Sequence, residues 1–234
     1  MNPKVLIGVV TYVGKDYIFD EFWKNIQNLD YDNYDVVVVD NTKGKKYYSK
    51  LKRRGIPVHH VNRGANSRMA QDRSLNKITS IMLKGDYEYF LSIESDLLPP
   101  SDIIQRLMAH DKDVVGCMYN IGYVDSASQP PRPCLFTMNK EEINGKATRN
   151  LTADEGFSLF GRGVIRIHGC GLGTTLIRRS IVEEVPFRYT TENDRVHSDA
   201  VFYGDLHNKK IQAFVDTDII IPHFNSDWNL VKDY

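Results

Sequence analysis

The sequence lacks most of the features that would place a protein at sight. Only three of its 234 residues are cysteine, Cys117, Cys134 and Cys170, and they form no CxxC pair. An odd, widely spaced set argues against a disulfide framework or a zinc site and points to free thiols in a reducing compartment. Net charge is also missing, because 30 Lys and Arg balance 30 Asp and Glu. A broad basic surface for gripping nucleic acid is therefore not expected. No apolar run reaches the roughly 18 residues that a membrane-spanning helix needs. The first apolar run, in MNPKVLIGVVTYVGKDY, has no small-residue cleavage site and breaks at Gly14-Lys15-Asp16, so it reads as a strand and not as a signal peptide. Together these absences predict a cytoplasmic protein. Two nucleotide-binding signatures are absent as well: no GxGxxG follows the first strand, and GxxxxGK[ST] occurs nowhere. GCGLGT (169–174) has the wrong spacing for either, which disfavours dehydrogenase and P-loop chemistry.

What is present suits one large domain, 1–234, in two halves. Hydrophobic residues make up 41% and charged residues 26%, enough for a substantial core in an ordinary soluble chain. In the first half apolar runs at 4–10, 34–41, 56–61, 87–96 and 113–119 alternate with helical patterns at 20–29, 47–55, 66–85 and 102–111, the last capped by Ser101. YDVVVVDN (34–41) is apolar on both faces, as in a buried parallel strand. The alternation predicts an α/β protein with a mostly parallel central sheet flanked by helices. The stretch 120–163 is turn-rich and reads as hairpins and loops, a candidate lid. Regular structure resumes at 164–185, with a helix at 198–211 and a strand at 212–224.

Ligands of such sheets bind beyond the strand C-terminal ends, where this chain places its most suggestive residues. YFLSIESDLLPP (89–100) ends a strand with Glu94 and Asp96. On a strand these point to one side and Ser95 to the other. Two close carboxylates repel unless something positive lies between them, and a hard divalent cation meets that need. A solvated acid pair at a loop entry competes on equal terms. Asp40 and Asn41 follow VVVV and suit a ribose hydroxyl or base N–H, or a turn. Thr11 and Tyr12 follow the first strand and would flank a base by hydrogen bonding and stacking, with Tyr12 equally a core aromatic.

His223 ends DIIIPHF, and its imidazole suits Mn²⁺ better than Mg²⁺. His59 and His60 are adjacent on a strand and face opposite ways, so at least one is structural. Arg63, Arg68 and Arg73 lie in or near one helix. Arg68 and Arg73 point about 140° apart on it, so they do not share one phosphate. A surface ion pair with Asp72 at i+4 is the favoured reading of Arg68. Ser198 as helix N-cap with Asp199 favoured by the helix dipole is the plainer reading of that pair. The functional alternative makes Asp199 a general base. Gly169 and Gly171 either bring backbone N–H groups to phosphate or sugar, or permit close packing.

The order of these pieces resembles the GT-A-type glycosyltransferases of glycosyltransferase family 2. VVTY, VVVVDN, NRGANSRMAQDR, YFLSIESDLLPP, GCGLGTTLIRRSIVEEVPFR, HSDAVFYGDL and VDTDIIIPH carry the resemblance across nearly the whole chain. It implies a GT-A-like fold, with 1–119 as the nucleotide-binding half and 120–234 as the acceptor and sugar half. It further implies a UDP- or GDP-linked sugar donor, a hydroxyl acceptor, and a Mn²⁺ or Mg²⁺ cofactor. Asp96 matches the final acid of the family's Asp-x-Asp metal motif, with Glu94 in place of the first. Asp40 matches the base-binding acid and His223 the late metal-ligand histidine. Thr11, Tyr12, Asn41, Arg68, Arg73, Ser95 and Gly171 complete the implied donor site. The family's acidic pair reads Ser198-Asp199 here, which implies an inverting enzyme with Asp199 as base. A retaining transferase, a nucleotidyltransferase and a non-catalytic carbohydrate-binding protein are the alternatives.

Overall fold

The computed structural model describes residues 2–122, 131–143, 146–188 and 197–225, with backbone alone over 138–143 and 146–148. The first half runs β1 (Val5–Thr11), α1 (Phe19–Gln27), β2 (Tyr34–Asp40), α2 (Lys46–Arg53), β3 (Val58–His60), α3 (Ser67–Met82), β4 (Tyr89–Glu94), α4 (Ile103–Ala109) and β5 (Val114–Ile121). There follow β6 (Arg132–Pro133), β7 (Leu135–Ile143), β8 (Lys146–Asn150), α5 (Ala153–Phe157), β9 (Val164–Ile167), β10 (Gly169–Cys170), β11 (Thr174–Arg178), α6 (Arg179–Glu184), α7 (Ser198–Asn208) and β12 (Ala213–Ile221). Among the described residues no helix is long and apolar enough to cross a membrane.

The main sheet has the order β3-β2-β1-β4-β11-β5-β12-β9, with β6 added against β5. Strands β3, β2, β1 and β4 pair in parallel, and β12 is parallel to β5. Because β11 is antiparallel to both β4 and β5, those two strands also run the same way. Six strands therefore end on one edge, and only β11 and β9 on the main path oppose them. The register keeps these ends level: Thr11 lies beside Asp40, Val10 beside Glu94, and Ile221 beside Tyr119.

The alternation of side chains explains why both sheet faces are covered. In β1, Val5, Ile7 and Val9 pack with Phe19, Phe22, Leu51 and Leu107, under α1, α2 and α4. Leu6 points the other way and joins Leu75, Ile78 and Phe202, under α3 and α7. Gly8 leaves room for α3, since a Cβ there would run into Ile78 and the Phe90 ring.

Three local expectations are corrected. Ser101 does not cap α4: Asp102 holds the N-cap position without a side-chain cap bond, and the Ser101 hydroxyl donates to Asp30. The tie across to the α1–β2 connection takes the hydroxyl away from the helix. Ser198 is the first residue of α7 and not its N-cap, which is His197; its hydroxyl donates to Gln71 Oε1 of α3 at 3.2 Å. The turn-rich stretch does contain the β7–β8 hairpin, but also α5, which is too short to show a helical period. Its sequence signal was the capping box Thr152-x-x-Glu155, formed in both directions. Residues 123–130 of the candidate lid lie outside the described residues. All three cysteines are free and buried.

Candidate active site

The chain leaves β1 at Tyr12 and makes one 3-10 turn over Val13–Lys15, in which the Lys15 N–H donates to the Tyr12 carbonyl at 2.9 Å. This turn delivers the Lys15 side chain to the end of β4. Lys15 is only 7% exposed. Its ammonium donates to Glu94 Oε2 at 2.9 Å and to Asp96 Oδ1 at 2.7 Å. The expected positive group between the two carboxylates is thus present, and it is a lysine of the chain. In the sequence Lys15 shows only as part of the break in the first apolar run. The available signal was a basic residue at a strand end beside acidic ones.

The strand geometry expected for 94–96 is corrected. β4 stops at Glu94, and the Leu97 N–H donates back to the Glu94 carbonyl at 3.1 Å, so Asp96 sits in a turn. The carboxylates converge because the turn folds Asp96 back and Lys15 bonds to both. Ser95 does face away, with its hydroxyl donating to Thr11 Oγ1 at 2.8 Å in the interior.

β12 brings His223 to the same point. Leu97 and His223 form an antiparallel bridge, and the Phe224 N–H donates to the Asp96 carbonyl at 2.9 Å. His223 Nδ1 lies 2.6 Å from the Asn120 carbonyl, to which it donates, and Nε2 lies 3.2 Å from Asp96 Oδ2. The Tyr119 ring packs edge-on at 5.4 Å. Burial alone would raise the Asp96 carboxyl, but the Lys15 charge and the His223 hydrogen bond outweigh it and pull the pKa down to about 2. For Lys15, burial works against the charged form, and the Asp96 and Glu94 charges overcome it to hold the ammonium above its ordinary range. His223 follows the same pattern, lowered by burial and raised on balance by its bond to Asp96.

Glu94, Asp96 and His223 each offer one ligand atom, all within 4.8 Å of one another. Two carboxylate oxygens and an imidazole nitrogen suit Mn²⁺ or Mg²⁺ chemically. The geometry does not fit a divalent ion as it stands, because the Lys15 ammonium occupies the space between the carboxylates. An incoming ion would have to break two charge-assisted hydrogen bonds and displace a like charge.

The base-binding candidates are close by but largely engaged. Asp40 is fully buried; its Oδ1 accepts from the Thr42 N–H at 2.9 Å and from the Thr42 hydroxyl, and its Oδ2 lies 3.1 Å from His60 Nδ1. This is the turn role for Asp40, with His60 as the structural histidine while His59 is exposed. Asn41 is held by its N–H on the Thr11 carbonyl at 3.0 Å and its side chain on Ser74 Oγ at 3.1 Å. Tyr12 stays half-buried beside Lys15, and burial raises its hydroxyl pKa.

Arg73 is exposed and donates to the Asn62 carbonyl and side chain, both at 3.2 Å, so it braces the β3–α3 loop. The Arg68–Asp72 ion pair is not formed: Arg68 Nε and Asp72 Oδ1 are both buried without a partner among the described residues. Gly171 does not lend its N–H to a ligand, because that group donates to the Cys134 carbonyl at 3.0 Å. A Cβ there would collide with the Tyr119 hydroxyl and lie 2.7 Å from the Cys134 sulfur. A Cβ on Gly169 would lie 2.7 Å from the Tyr203 ring, so both glycines serve close packing. Gly171→Ala is expected to cost about 1–3 kcal/mol by overpacking. A urea midpoint equal to that of the wild type would show that Tyr119 yields.

Asp199 lies in the first turn of α7, half-buried, with Oδ1 accepting from the Ala200 N–H at 2.8 Å. Burial pushes its carboxyl up to about 6, and the Glu94 charge adds to the effect. The Asp199 charge in turn is felt by the buried Tyr119 and Cys134. Tyr119 closes the circuit, since its hydroxyl accepts from the Gly173 N–H at 3.3 Å and the Gly173 carbonyl accepts from the Glu94 N–H at 2.9 Å. A carboxyl that titrates near neutrality therefore sits within electrostatic reach of the Glu94–Asp96–His223 cluster.

This arrangement of strands has counterparts among solved structures. TarS residues 1–349 from S. aureus in complex with UDP superposes with a TM-score of 0.56 at 14% identity, covering 96% of this chain and 62% of that one. The fold is GT-A-like. The same TarS segment with UDP-GlcNAc gives a TM-score of 0.55 at 14% identity, over 93% of this chain and 57% of TarS 1–349. The chain thus spans about three fifths of the TarS segment. A197 from STIV aligns at a TM-score of 0.48 and 13% identity, over 96% and 87% of the two chains. No protein-family model and no curated sequence matches. In this GT-A-like frame the six level strand ends form the edge at which the acidic cluster, Asp40 and Asn41 all lie.

Proposed function

We propose that the protein transfers a glycosyl group from a nucleoside-diphosphate sugar to an acceptor hydroxyl. The observation that carries the reading is a carboxyl raised to about 6, Asp199, within reach of a partly buried acidic and histidine cluster at the strand ends of a GT-A-like sheet. UDP and UDP-GlcNAc are the ligands of TarS, the structural counterpart, and make UDP-linked donors the first to test.

In this reaction the acceptor oxygen attacks the anomeric carbon while its proton passes to an Asp199 carboxylate oxygen. The bond from the anomeric carbon to the diphosphate breaks, and the nucleoside diphosphate leaves with the electron pair. A base with a pKa near 6 is deprotonated at neutral pH yet basic enough to assist. Displacement from the opposite side inverts the anomeric carbon. Thr11, Tyr12, Asp40 and Asn41 would border the nucleotide, with Asp40 acting through its hold on the Thr42 turn. The leaving diphosphate needs positive charge at the end of β4. Mn²⁺ or Mg²⁺ would be one source, with Glu94, Asp96 and His223 to hold it once Lys15 had moved aside, and the Lys15 ammonium is the other; the position of Lys15 supports the second.

The test is a panel of nucleotide sugars, each assayed for donor hydrolysis and for a rise in melting temperature with UDP and GDP, with EDTA and with Mn²⁺. At least one nucleotide is expected to raise the melting temperature. No response to any nucleotide under either condition would end the reading. Release of pyrophosphate in place of a nucleoside diphosphate would move the protein to the nucleotidyltransferases. An NMR assignment of retained configuration in the product would remove Asp199 from its role.

A further inference from the structure

We infer that Lys15 is the resident counter-cation of the donor site, holding the position between Glu94 and Asp96 that a divalent ion would need, so that a nucleoside diphosphate binds without metal. The inference rests on the glycosyl-donor reading above. It is carried by placement. A 3-10 turn closed by the Lys15 N–H on Tyr12 puts the stem under the strand ends, and the side chain is 8% exposed. The ammonium lies 2.9 Å from the Glu94 carboxylate and 2.7 Å from that of Asp96. Asp96 has no exposed surface, and its other oxygen faces His223 at 3.2 Å.

Chemistry decides which cation the site prefers. A lysine held by the fold occupies its place at no cost in local concentration. A divalent ion has to shed water, break two charge-assisted bonds and tolerate the ammonium beside it. These costs set the resident charge ahead of a free ion. The donor set Glu94, Asp96 and His223 nevertheless remains complete around the lysine. Removing only the ammonium leaves two carboxylate oxygens and an imidazole nitrogen within 4.8 Å of one another. Lys15→Met, which keeps the bulk of the stem and loses the charge, should therefore turn a metal-independent site into a metal-binding one.

The experiment measures binding of UDP and of GDP, each with EDTA and with Mn²⁺, and of Mn²⁺ alone, to wild type and to Lys15→Met by calorimetry, with melting temperature as the check on folding. Wild-type protein is expected to bind UDP equally with EDTA and with Mn²⁺, and to take up Mn²⁺ at least about 100-fold more weakly than the variant, the loss that two charge-assisted bonds imply. Lys15→Met should lose at least about tenfold in UDP affinity with EDTA and recover it with Mn²⁺. UDP binding by wild type that requires Mn²⁺ overturns the inference, and this arm needs no variant. Equal Mn²⁺ affinity in the two proteins overturns it as well. If neither UDP nor GDP binds wild type under any condition, the donor reading fails, while the Mn²⁺-alone arm still decides whether Lys15 holds the cation position.

Discussion

Asp199→Asn is expected to lower the transfer rate by about 10²–10⁴-fold, the range for loss of a positioned general base, and at the same time to stabilise the protein. Both effects have one cause. Burial holds the Asp199 carboxyl near 6, above the 3.8 of an unperturbed aspartate, so at neutral pH the folded protein carries a charge that the unfolded chain carries more cheaply. The sign follows from proton counting. Between pH 3.8 and 6 the folded state binds more protons than the unfolded state, so stability falls as pH rises through that window, and above 6 the penalty is constant. A shift of that size corresponds to at most about 3 kcal/mol, which asparagine removes while keeping an oxygen for the Ala200 N–H. Calorimetry at pH 7.5 should show a higher melting temperature for the variant, and at pH 3.5 the two proteins should melt alike. The kcat/KM of the wild type should rise across pH 6 and then level. A variant that loses activity and also melts lower would show Asp199 to be structural.

Asp96→Ala is expected to have the largest effect on stability, a loss of about 3–5 kcal/mol. Asp96 is fully buried between the Lys15 ammonium and His223, so its removal takes a charge-assisted partner from a buried cation. For a chain of 234 residues the melting temperature should fall by roughly 6–20 °C. The pH dependence has the opposite sign to that of Asp199. The folded-state pKa of about 2 lies below the unfolded 3.8, so the stabilisation is present above 3.8 and is lost as pH falls toward 2. Acid unfolding of the wild type should begin in that window, and the variant should lack this part of the transition. A melting temperature within about 2 °C of wild type would mean that Lys15 finds other partners.

The α/β architecture, the parallel run of β1 to β4 and the two-sided core are legible in the sequence, because those follow from local pattern. VLIGVVT and YDVVVVD are apolar on both faces, and such strands have few alternatives to a covered parallel sheet. The convergence of Glu94, Asp96 and His223 is legible too, since residues at strand C-terminal ends share one edge whatever the details of packing. The features that local pattern leaves open share a physical reason. Whether Asp40 contacts a ligand or closes a turn depends on Thr42 and His60, whose bonds need the final register of β2 and β3. Whether the N–H of Gly171 is available depends on Cys134, the residue between β6 and β7, 37 positions earlier in the chain. Whether the i,i+4 pair Arg68 and Asp72 closes depends on what buries each group.

The amino-acid sequence by itself placed Glu94 and Asp96 together at a strand end and left two resolutions of their repulsion, a positive charge between them or solvation of the pair, because close carboxylates destabilise each other's charge. Only the tertiary structure decided that the charge is Lys15, 79 residues from Glu94 along the chain. Electrostatics requires a cation but is indifferent to its source, and the choice between an ion and an ammonium rests on a single 3-10 turn after the first strand.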